Sequence, residues 1–235
     1  MNLTIGNVRI VPYGVERWTT AGMSVQEISS DGVTIACGFP YAAISSMTNG
    51  LRLNTAAIDM PFTGKDDFAA ISDWTIDRCG VWDRTARRTL ALYFRAVEDA
   101  VEASRDVLTE KLSRYEGLFT HADFRFSAPL PLPRAHLFAP IEGMCEGATD
   151  DFVRVDLAFF PGGGRTVACL SRTASFGSPK QNRITRLKAV GIEIAWLEDL
   201  SAADAFGAIL SPMSGVSFFD GETMPCGLLR RPPAV

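Results

Sequence analysis

The segment RVDLAFFPGGGRTVACLSRT, residues 154–173, decides the fold that the sequence predicts. Two apolar runs flank the residues Pro161-Gly-Gly-Gly164, and a turn as short as this joins neighbouring strands in an antiparallel pair. We therefore predict strands over residues 152–160 and 166–170 that lie side by side in a central sheet. Asp156 is placed at the centre of the first of these strands.

Helices are predicted on both sides of this hairpin. Upstream, Asp83 can cap a helix that runs to Gly117, and the length of that helix favours a break near Ser104. Downstream, Ser178-Pro179 is a typical helix start and Gly191 a typical helix end. The spacing of apolar residues in this second helix predicts a buried face formed by Ile184, Leu187 and Val190.

The other segments of the C-terminal half alternate between strand, loop and helix. Residues 121–128 alternate between apolar and polar, which predicts a strand. The PLPLP run that follows, residues 129–133, predicts a rigid extended connector, because proline cannot donate to a sheet. Residues 142–151 are predicted to form a surface loop and residues 192–197 a buried strand, and Ser201 is predicted to cap a final short helix.

Residues 1–62 predict an antiparallel β-rich N-terminal part. A Ser-Asp-Gly turn at residues 30–32 separates two β-prone runs, and Asn49-Gly50 is a strong hairpin signal because both turn residues must accept a positive φ. This part carries few charges and no cluster typical of a catalytic site. We expect it to pack on a larger core over residues 83–210, with residues 211–235 as a C-terminal tail.

Composition excludes several classes of protein. The 235 residues are 47% hydrophobic, which is typical of a globular chain with a buried core. No stretch reaches the roughly 18 apolar residues of a membrane helix, and no signal-peptide pattern begins the sequence, so we expect a cytoplasmic protein with no membrane partner. The five cysteines form no CxxC and there are two histidines, which argues against a disulfide scaffold and a multi-histidine metal site.

The charge is unevenly distributed along the chain. The net charge is −4, so the protein as a whole has no basic surface for nucleic acid. Between Leu157 and Ile192, however, there is no Asp or Glu. We call the six basic residues in this interval the basic segment: Arg165, Arg172, Lys180, Arg183, Arg186 and Lys188. The segment predicts an anion-facing surface; the alternative is a solvated helix face whose acids lie elsewhere in three dimensions.

From residue 83 onward the predicted order is helix, strand, strand, strand, helix, strand. Within it, FVRVDLAFF…GRTVACLSR…SPKQNRITRLKAVGIEIAWL contains an Asp-bearing strand and a basic helix that ends in a glycine before another strand. Over roughly residues 83–200 this pattern resembles the PD-(D/E)XK, or restriction-endonuclease-like, superfamily, and its Vsr-like members in particular. The resemblance implies an α/β fold of the α+β kind, with a mixed sheet flanked by helices, and a nuclease site.

Nucleases of that superfamily hold a divalent ion between carboxylates, and the ion activates water. The second acid and a lysine come from alternate positions of the neighbouring strand, which share a face. Asp156 matches the first acid, but the matching positions on the next strand hold Cys169 and Ser171, no lysine follows, and a thiol is too soft for Mg²⁺. The sequence therefore predicts a degenerate catalytic site with no cofactor and no metal. The alternative is a structural Asp156, satisfied by backbone amides or by Arg183.

Two further kinds of site are weighed. A relocated Mg²⁺ site would take carboxylates from Glu110, Asp150 or Asp151, placed within about 5 Å of the strand acid. A thiol hydrolase would pair Cys169 with His121 or His136, but that cysteine lies within an apolar strand, where its pKa would not fall.

Three functions follow from this reading. The first is a catalytically degenerate nuclease-like module that binds DNA, or serves a DNA-processing complex, through Arg172, Lys180, Arg183, Arg186 and Lys188. The second is a protein–protein or regulatory subunit with no nucleic-acid role. The third is an active metal-dependent nuclease with relocated acids.

Overall fold

A computed structural model of the protein describes most of the chain. The described residues are 4–5, 8–18, 24–29, 32–36, 38–45, 50–51, 53, 67–81, 83–113, 119–140, 151–172 and 180–214. The fold is α+β, as predicted, with helices packed around a mixed sheet and antiparallel strands at the N-terminus. Within these ranges no helix is both long enough and apolar enough to cross a membrane.

The N-terminal part is antiparallel and β-rich, which confirms the prediction. Its strands are β1 (Thr4–Ile5), β2 (Val8–Pro12), β3 (Ser24–Ser29), β4 (Gly32–Ala36) and β5 (Tyr41–Ser45). Strands β1, β2 and β5 form one antiparallel sheet, and β3 pairs with β4 as the predicted hairpin.

The predicted Asn49-Gly50 hairpin falls on residues of which only Gly50 is described, so it stays a prediction. The Leu51 amide donates to the carbonyl of Phe160 at 3.0 Å, and the Leu51 carbonyl accepts from the amide of Leu130 at 2.8 Å. The segment after Gly50 is therefore hydrogen-bonded to the C-terminal half of the molecule.

Three helices follow, α1 (Asp67–Asp77), α2 (Arg84–Ala103) and α3 (Arg105–Leu112). Asp83 caps α2 as predicted, since its side chain accepts from the amide of Ala86. The predicted break at Ser104 is confirmed, and the predicted end at Gly117 lies outside the described residues. The apolar face of α2 is buried and contains Leu90, Tyr93, Phe94, Val97 and Val101.

The prediction of a strand over residues 121–128 is wrong. His121–Ser127 is a 3-10 helix, because Thr120 and Asp123 form a capping box at its start. The Asp123 carboxylate accepts from the Thr120 amide at 2.7 Å. This spacing of Thr and an acid is a helix-start signal, and here it overrides the alternation of apolar residues.

The central sheet has four strands in the order β11-β10-β9-β6. Its members and the elements between them are β6 (Leu132–Pro133), β7 (His136–Phe138), β8 (Phe152–Arg154), β9 (Leu157–Gly162), β10 (Arg165–Leu170), α4 (Lys180–Ala189) and β11 (Glu193–Trp196). Strand β9 is antiparallel to both β6 and β10, while β11 is parallel to β10. The predicted antiparallel hairpin is confirmed, with Gly163 and Gly164 at φ 60° and 75° as a two-residue turn.

Two details of this sheet differ from prediction. The strand predicted over residues 152–160 is divided, because β8 pairs with β7 while β9 pairs with β6, and the chain passes from one sheet to the other at Val155 and Asp156. Asp156 therefore lies just before β9 and not at the centre of a strand. The PLPLP run also contributes β6, where Pro133 is tolerated because β6 is an edge strand.

The helix predicted over residues 178–191 corresponds to α4, whose described part begins at Lys180. Leu187 is fully buried and Ile184 is partly buried against the core, but Val190 is 43% exposed, so its predicted burial is wrong. Val190 lies beyond the last helical residue. Ile192 is buried in the core in its place, and its amide donates to the Leu187 carbonyl at 3.0 Å.

The chain ends its described part in a 3-10 helix (Ala203–Phe206) and α5 (Gly207–Ser214), close to the helix predicted from Ser201. One hydrophobic cluster joins β2, the segment after Gly50, α2 and the central hairpin. The N-terminal strands thus pack on the C-terminal half, as expected. Residues 215–235 of the predicted tail lie outside the described residues.

Replacement of Gly50 by alanine is expected to lower the free energy of unfolding by at least about 2 kcal/mol. Gly50 has φ +102°, and a Cβ there would lie 2.2 Å from the carbonyl oxygen of Phe160 and 2.6 Å from the amide nitrogen of Gly162. Urea unfolding provides the measurement. The matched control is Gly38→Ala, which has open space around it and should change stability by less than about 0.5 kcal/mol. Equal effects of the two substitutions would contradict this account.

Candidate functional site

Asp156 is the centre of the candidate site, and hydrogen bonds join it to three residues in two other segments of the chain. Its amide donates to the Cys169 carbonyl at 3.1 Å, and its carbonyl accepts from the Arg134 amide at 2.8 Å. Its Oδ2 atom accepts from the Ser171 amide at 2.6 Å. The residue is only 3% exposed. The carboxylate is therefore held by the backbone of β10 and its continuation.

The electrostatic surroundings of Asp156 favour its neutral form. Burial raises the pKa of this carboxyl group to about 6, against the hydrogen bond just described, which lowers it. The neighbouring carboxylates Asp83 and Glu198 raise the pKa further, while the Arg183 guanidinium lowers it. Asp156 thus changes its charge close to neutral pH.

Ser171 links this carboxylate to a second one, Glu198. The Ser171 hydroxyl donates to Glu198 Oε1 at 2.9 Å, and the amide of Arg172 donates to the same oxygen at 2.8 Å. Although partial burial opposes it, these hydrogen bonds and one from its own amide lower the pKa of Glu198. Ser171 therefore donates its amide N–H to Asp156 and its hydroxyl to Glu198. The pKa of Asp156 is raised from its ordinary value, whereas that of Glu198 is lowered.

The thiol hydrolase pair weighed from the sequence is not assembled. Cys169 is fully buried, and burial raises the pKa of its thiol, so the sulfur stays protonated. His121 lies beside Glu102 at 3.1 Å, and His136 hydrogen-bonds the carbonyl of Val15 at 3.1 Å. Neither imidazole has the cysteine as its partner in these contacts.

The residues present do not fit the Mg²⁺ site that the resemblance implies. At the matching positions Cys169 is a neutral, buried thiol, and Ser171 uses its amide to hold Asp156 Oδ2. Mg²⁺ requires several oxygen ligands in octahedral arrangement. Among the residues that the structure describes, no group of three His, Cys, Asp or Glu side chains could share a metal ion.

Of the acids considered for a relocated site, the two that the structure describes do not act on Asp156. Glu110 is exposed on α3, and Asp150 lies outside the described residues. Asp151 is buried, and its carbonyl accepts from the amide of Ala139 at 2.8 Å. Neither Glu110 nor Asp151 is among the groups that shift the pKa of the Asp156 carboxyl.

The acids that do interact with Asp156 are Asp83 and Glu198, which sequence reasoning did not assign to the site. The sequence indicated Asp83 only as the residue that caps α2. Glu198 could have been found from topology, because β10 and β11 are parallel and their carboxyl ends reach the same edge of the sheet. The residues that follow both strands, Ser171 and Glu198, therefore meet.

Two members of the basic segment form ion pairs. The Arg165 guanidinium binds both carboxylate oxygens of Glu193, at 2.8 and 2.9 Å. Arg172 binds Asp199 at 2.7 Å, and its guanidinium carbon lies 5.5 Å from the ring centre of Trp196. These contacts neutralise both arginines.

The arginines of α4 bind backbone carbonyls. Arg183 donates to the carbonyl of Arg154. Arg186 donates through Nε, at 2.8 Å, and through Nη2 to the carbonyl of Ala139. Burial lowers the pKa of the Arg183 guanidinium, and Asp156 raises it. Both side chains therefore help to fix α4 against the strands.

The basic segment is spread over two regions. Arg165 begins β10 beside the hairpin turn and Arg172 follows its other end, so roughly 20 Å of strand separates them. Lys188 is exposed on α4, while the side chain of Lys180 lies outside the described part of the chain. The structure brings together the residues of α4 but not all six members of the segment.

Comparisons with protein-family models, with curated proteins and with solved structures found no match to this chain.

The substitution Asp156→Asn is expected to stabilise the protein near pH 7.5 by on the order of 2 kcal/mol. Asparagine keeps an oxygen for the Ser171 amide but carries no charge. In wild type the folded-state pKa of Asp156, about 6, lies above the ordinary 3.8, so folding favours the protonated form. The free energy of unfolding therefore falls as the pH rises from about 4 to about 6.

Urea unfolding of both proteins at about pH 4 and about pH 7.5 measures this effect. The advantage of the Asp156→Asn variant should be present at the higher pH and lost at the lower one. Asp99→Asn, at an exposed site on α2, serves as the control and should show no such change. A variant less stable than wild type at the higher pH would overturn the assignment.

Proposed function

We propose that this chain is a cytoplasmic, catalytically degenerate nuclease-like module that binds DNA, alone or within a DNA-processing complex. The resemblance to restriction-endonuclease-like proteins supplies the expectation. The observation that supports a loss of cleavage is the pair of residues at the positions of the second acid and the lysine. Cys169 carries a neutral thiol there, and Ser171 uses its amide to hold Asp156. No step of metal-dependent hydrolysis is assigned to these residues.

The surface proposed to bind DNA is α4. Its ten residues contain no acid and four basic residues, namely Lys180, Arg183, Arg186 and Lys188. A helix with four basic residues and no acid of its own attracts phosphates, and Lys188 is exposed on it. Leu187 anchors the helix in the core. Arg172, in contrast, already has a carboxylate partner in Asp199.

A protein–protein or regulatory subunit is the second candidate function. It is favoured by the ion pairs of Arg165 with Glu193 and of Arg172 with Asp199, which make part of the basic segment an ordinary solvated surface. In that case α4 carries charge for solubility, and no polyanion binds at physiological ionic strength.

Purified protein is expected to show no Mg²⁺- or Mn²⁺-dependent cleavage of DNA above background. The reason is that Cys169 and Ser171 occupy the positions where the superfamily has its second acid and its lysine. The assay uses supercoiled and linear duplex DNA with either ion. Cleavage by wild type that the Asp156→Ala variant lacks would contradict the proposal and indicate a relocated site.

Binding of duplex DNA is expected to be weak and salt-sensitive, with a slope of log affinity against log salt of roughly −3, because each neutralised phosphate releases a counterion. The variant Lys180→Gln/Lys188→Gln removes two charges and spares the arginines that fix α4. Its slope should rise to about −1.

The matched control is Arg88→Gln/Arg95→Gln, which removes two exposed charges from α2. Fluorescence anisotropy of a labelled duplex at increasing salt gives the slopes. No binding at low salt, or equal slopes for the α4 variant and wild type, would remove the DNA-binding proposal and leave the regulatory subunit.

A further inference from the structure

Two arginines outside the basic segment hold one carboxylate between them. We call Arg134, in the link between β6 and β7, and Arg154, at the end of β8, the arginine pair. Each donates to a different oxygen of Glu16, which follows β2. The side chains of the pair are 23% and 16% exposed, whereas that of Glu16 is 61% exposed. An exposed acid thus covers two largely buried guanidinium groups.

The arginine pair lies directly beside α4 and the candidate site. Arg183 of α4 donates to the carbonyl of Arg154, and the amide of Arg134 donates to the carbonyl of Asp156. Burial lowers the pKa of the nearby His136, and the charges of Arg134 and Arg183 lower it further. The guanidinium groups of Arg134 and Arg183 therefore lie near the same imidazole.

The backbone of Arg134 is strained. Its φ is +51°, and among the described residues it is the one non-glycine residue with positive φ. A non-glycine side chain in this conformation destabilises the backbone, which glycine would avoid. The guanidinium reaches Glu16 and lies next to Gly80, where a Cβ would lie 3.5 Å from Arg134 Nη1. The arginine side chain is thus held at a definite place at an energetic cost.

We propose that the arginine pair binds a phosphate group of the DNA backbone, and that Glu16 occupies this site until the phosphate displaces it. Two guanidinium groups that each bind one oxygen of a carboxylate can bind two oxygens of a phosphodiester in the same way. Displacement costs little, because the Glu16 side chain is 61% exposed and water can solvate its carboxylate when it leaves. This inference rests on the proposed function, and it adds a phosphate site that the basic segment does not contain.

The experiment compares the affinity of a labelled DNA duplex for five proteins at low salt. Glu16→Gln removes the competing charge and should bind about fivefold more tightly than wild type. Its matched control, Glu110→Gln, makes the same charge change on α3 and should bind no more than about twofold more tightly. Arg134→Gln/Arg154→Gln should bind at least about tenfold more weakly than the control Arg88→Gln/Arg95→Gln.

The outcomes separate the inference from the proposed function. If no protein binds DNA, the proposed function fails and the inference with it. If wild type binds and Glu16→Gln matches Glu110→Gln, the inference is overturned while the proposed function stands. Urea unfolding checks that the double arginine variant is folded; if it is not, the comparison of the two glutamate variants decides the question.

A competition with inorganic phosphate identifies the source of the phosphate group. At constant ionic strength, millimolar inorganic phosphate should not displace the DNA duplex from wild type or from Glu16→Gln. Displacement from Glu16→Gln but not from Glu110→Gln would show that the arginine pair binds the free anion, and would overturn its assignment to DNA.

Discussion

The burial of Asp156 is the constraint on which the rest of this structure depends. A carboxyl group taken out of water must find hydrogen-bond donors, and here the donor is the backbone amide of Ser171. The same residue bonds through its own backbone to Cys169 and Arg134. Consequently β6, β9 and β10 meet at one point, and the chain can leave the β7–β8 pair and enter the central sheet there.

The same arrangement joins two acids. A backbone amide is the partner of Asp156, and Ser171 connects that acid to Glu198. Each contact belongs to the folded structure and needs no ligand. The arginines of α4 are used in the same way, since Arg183 and Arg186 fix the helix through backbone carbonyls.

Sequence alone predicted the parts of the fold that local chemistry controls. The hairpin around Gly163 and Gly164 and the cap of Asp83 on α2 are read directly from turn and cap residues. What sequence could not supply was partners distant along the chain. Glu16 meets the arginine pair across more than a hundred residues, and Glu198 meets Ser171 only because β11 lies parallel to β10. A short period-two pattern also could not distinguish a strand from the 3-10 helix that Thr120 starts.

The contact between the N-terminal strands and the central hairpin has a consequence for synthesis of the chain. Arg9 of β2 donates to the Thr166 hydroxyl at 3.2 Å, across 157 positions of sequence. A ribosome that adds about 5 to 20 residues per second adds Thr166 roughly 8 to 30 s after Arg9. During that interval β2 can pair with β5, but the part of its core that β9 and β10 supply does not yet exist. The N-terminal strands therefore reach their final packing only after the central hairpin has been synthesised.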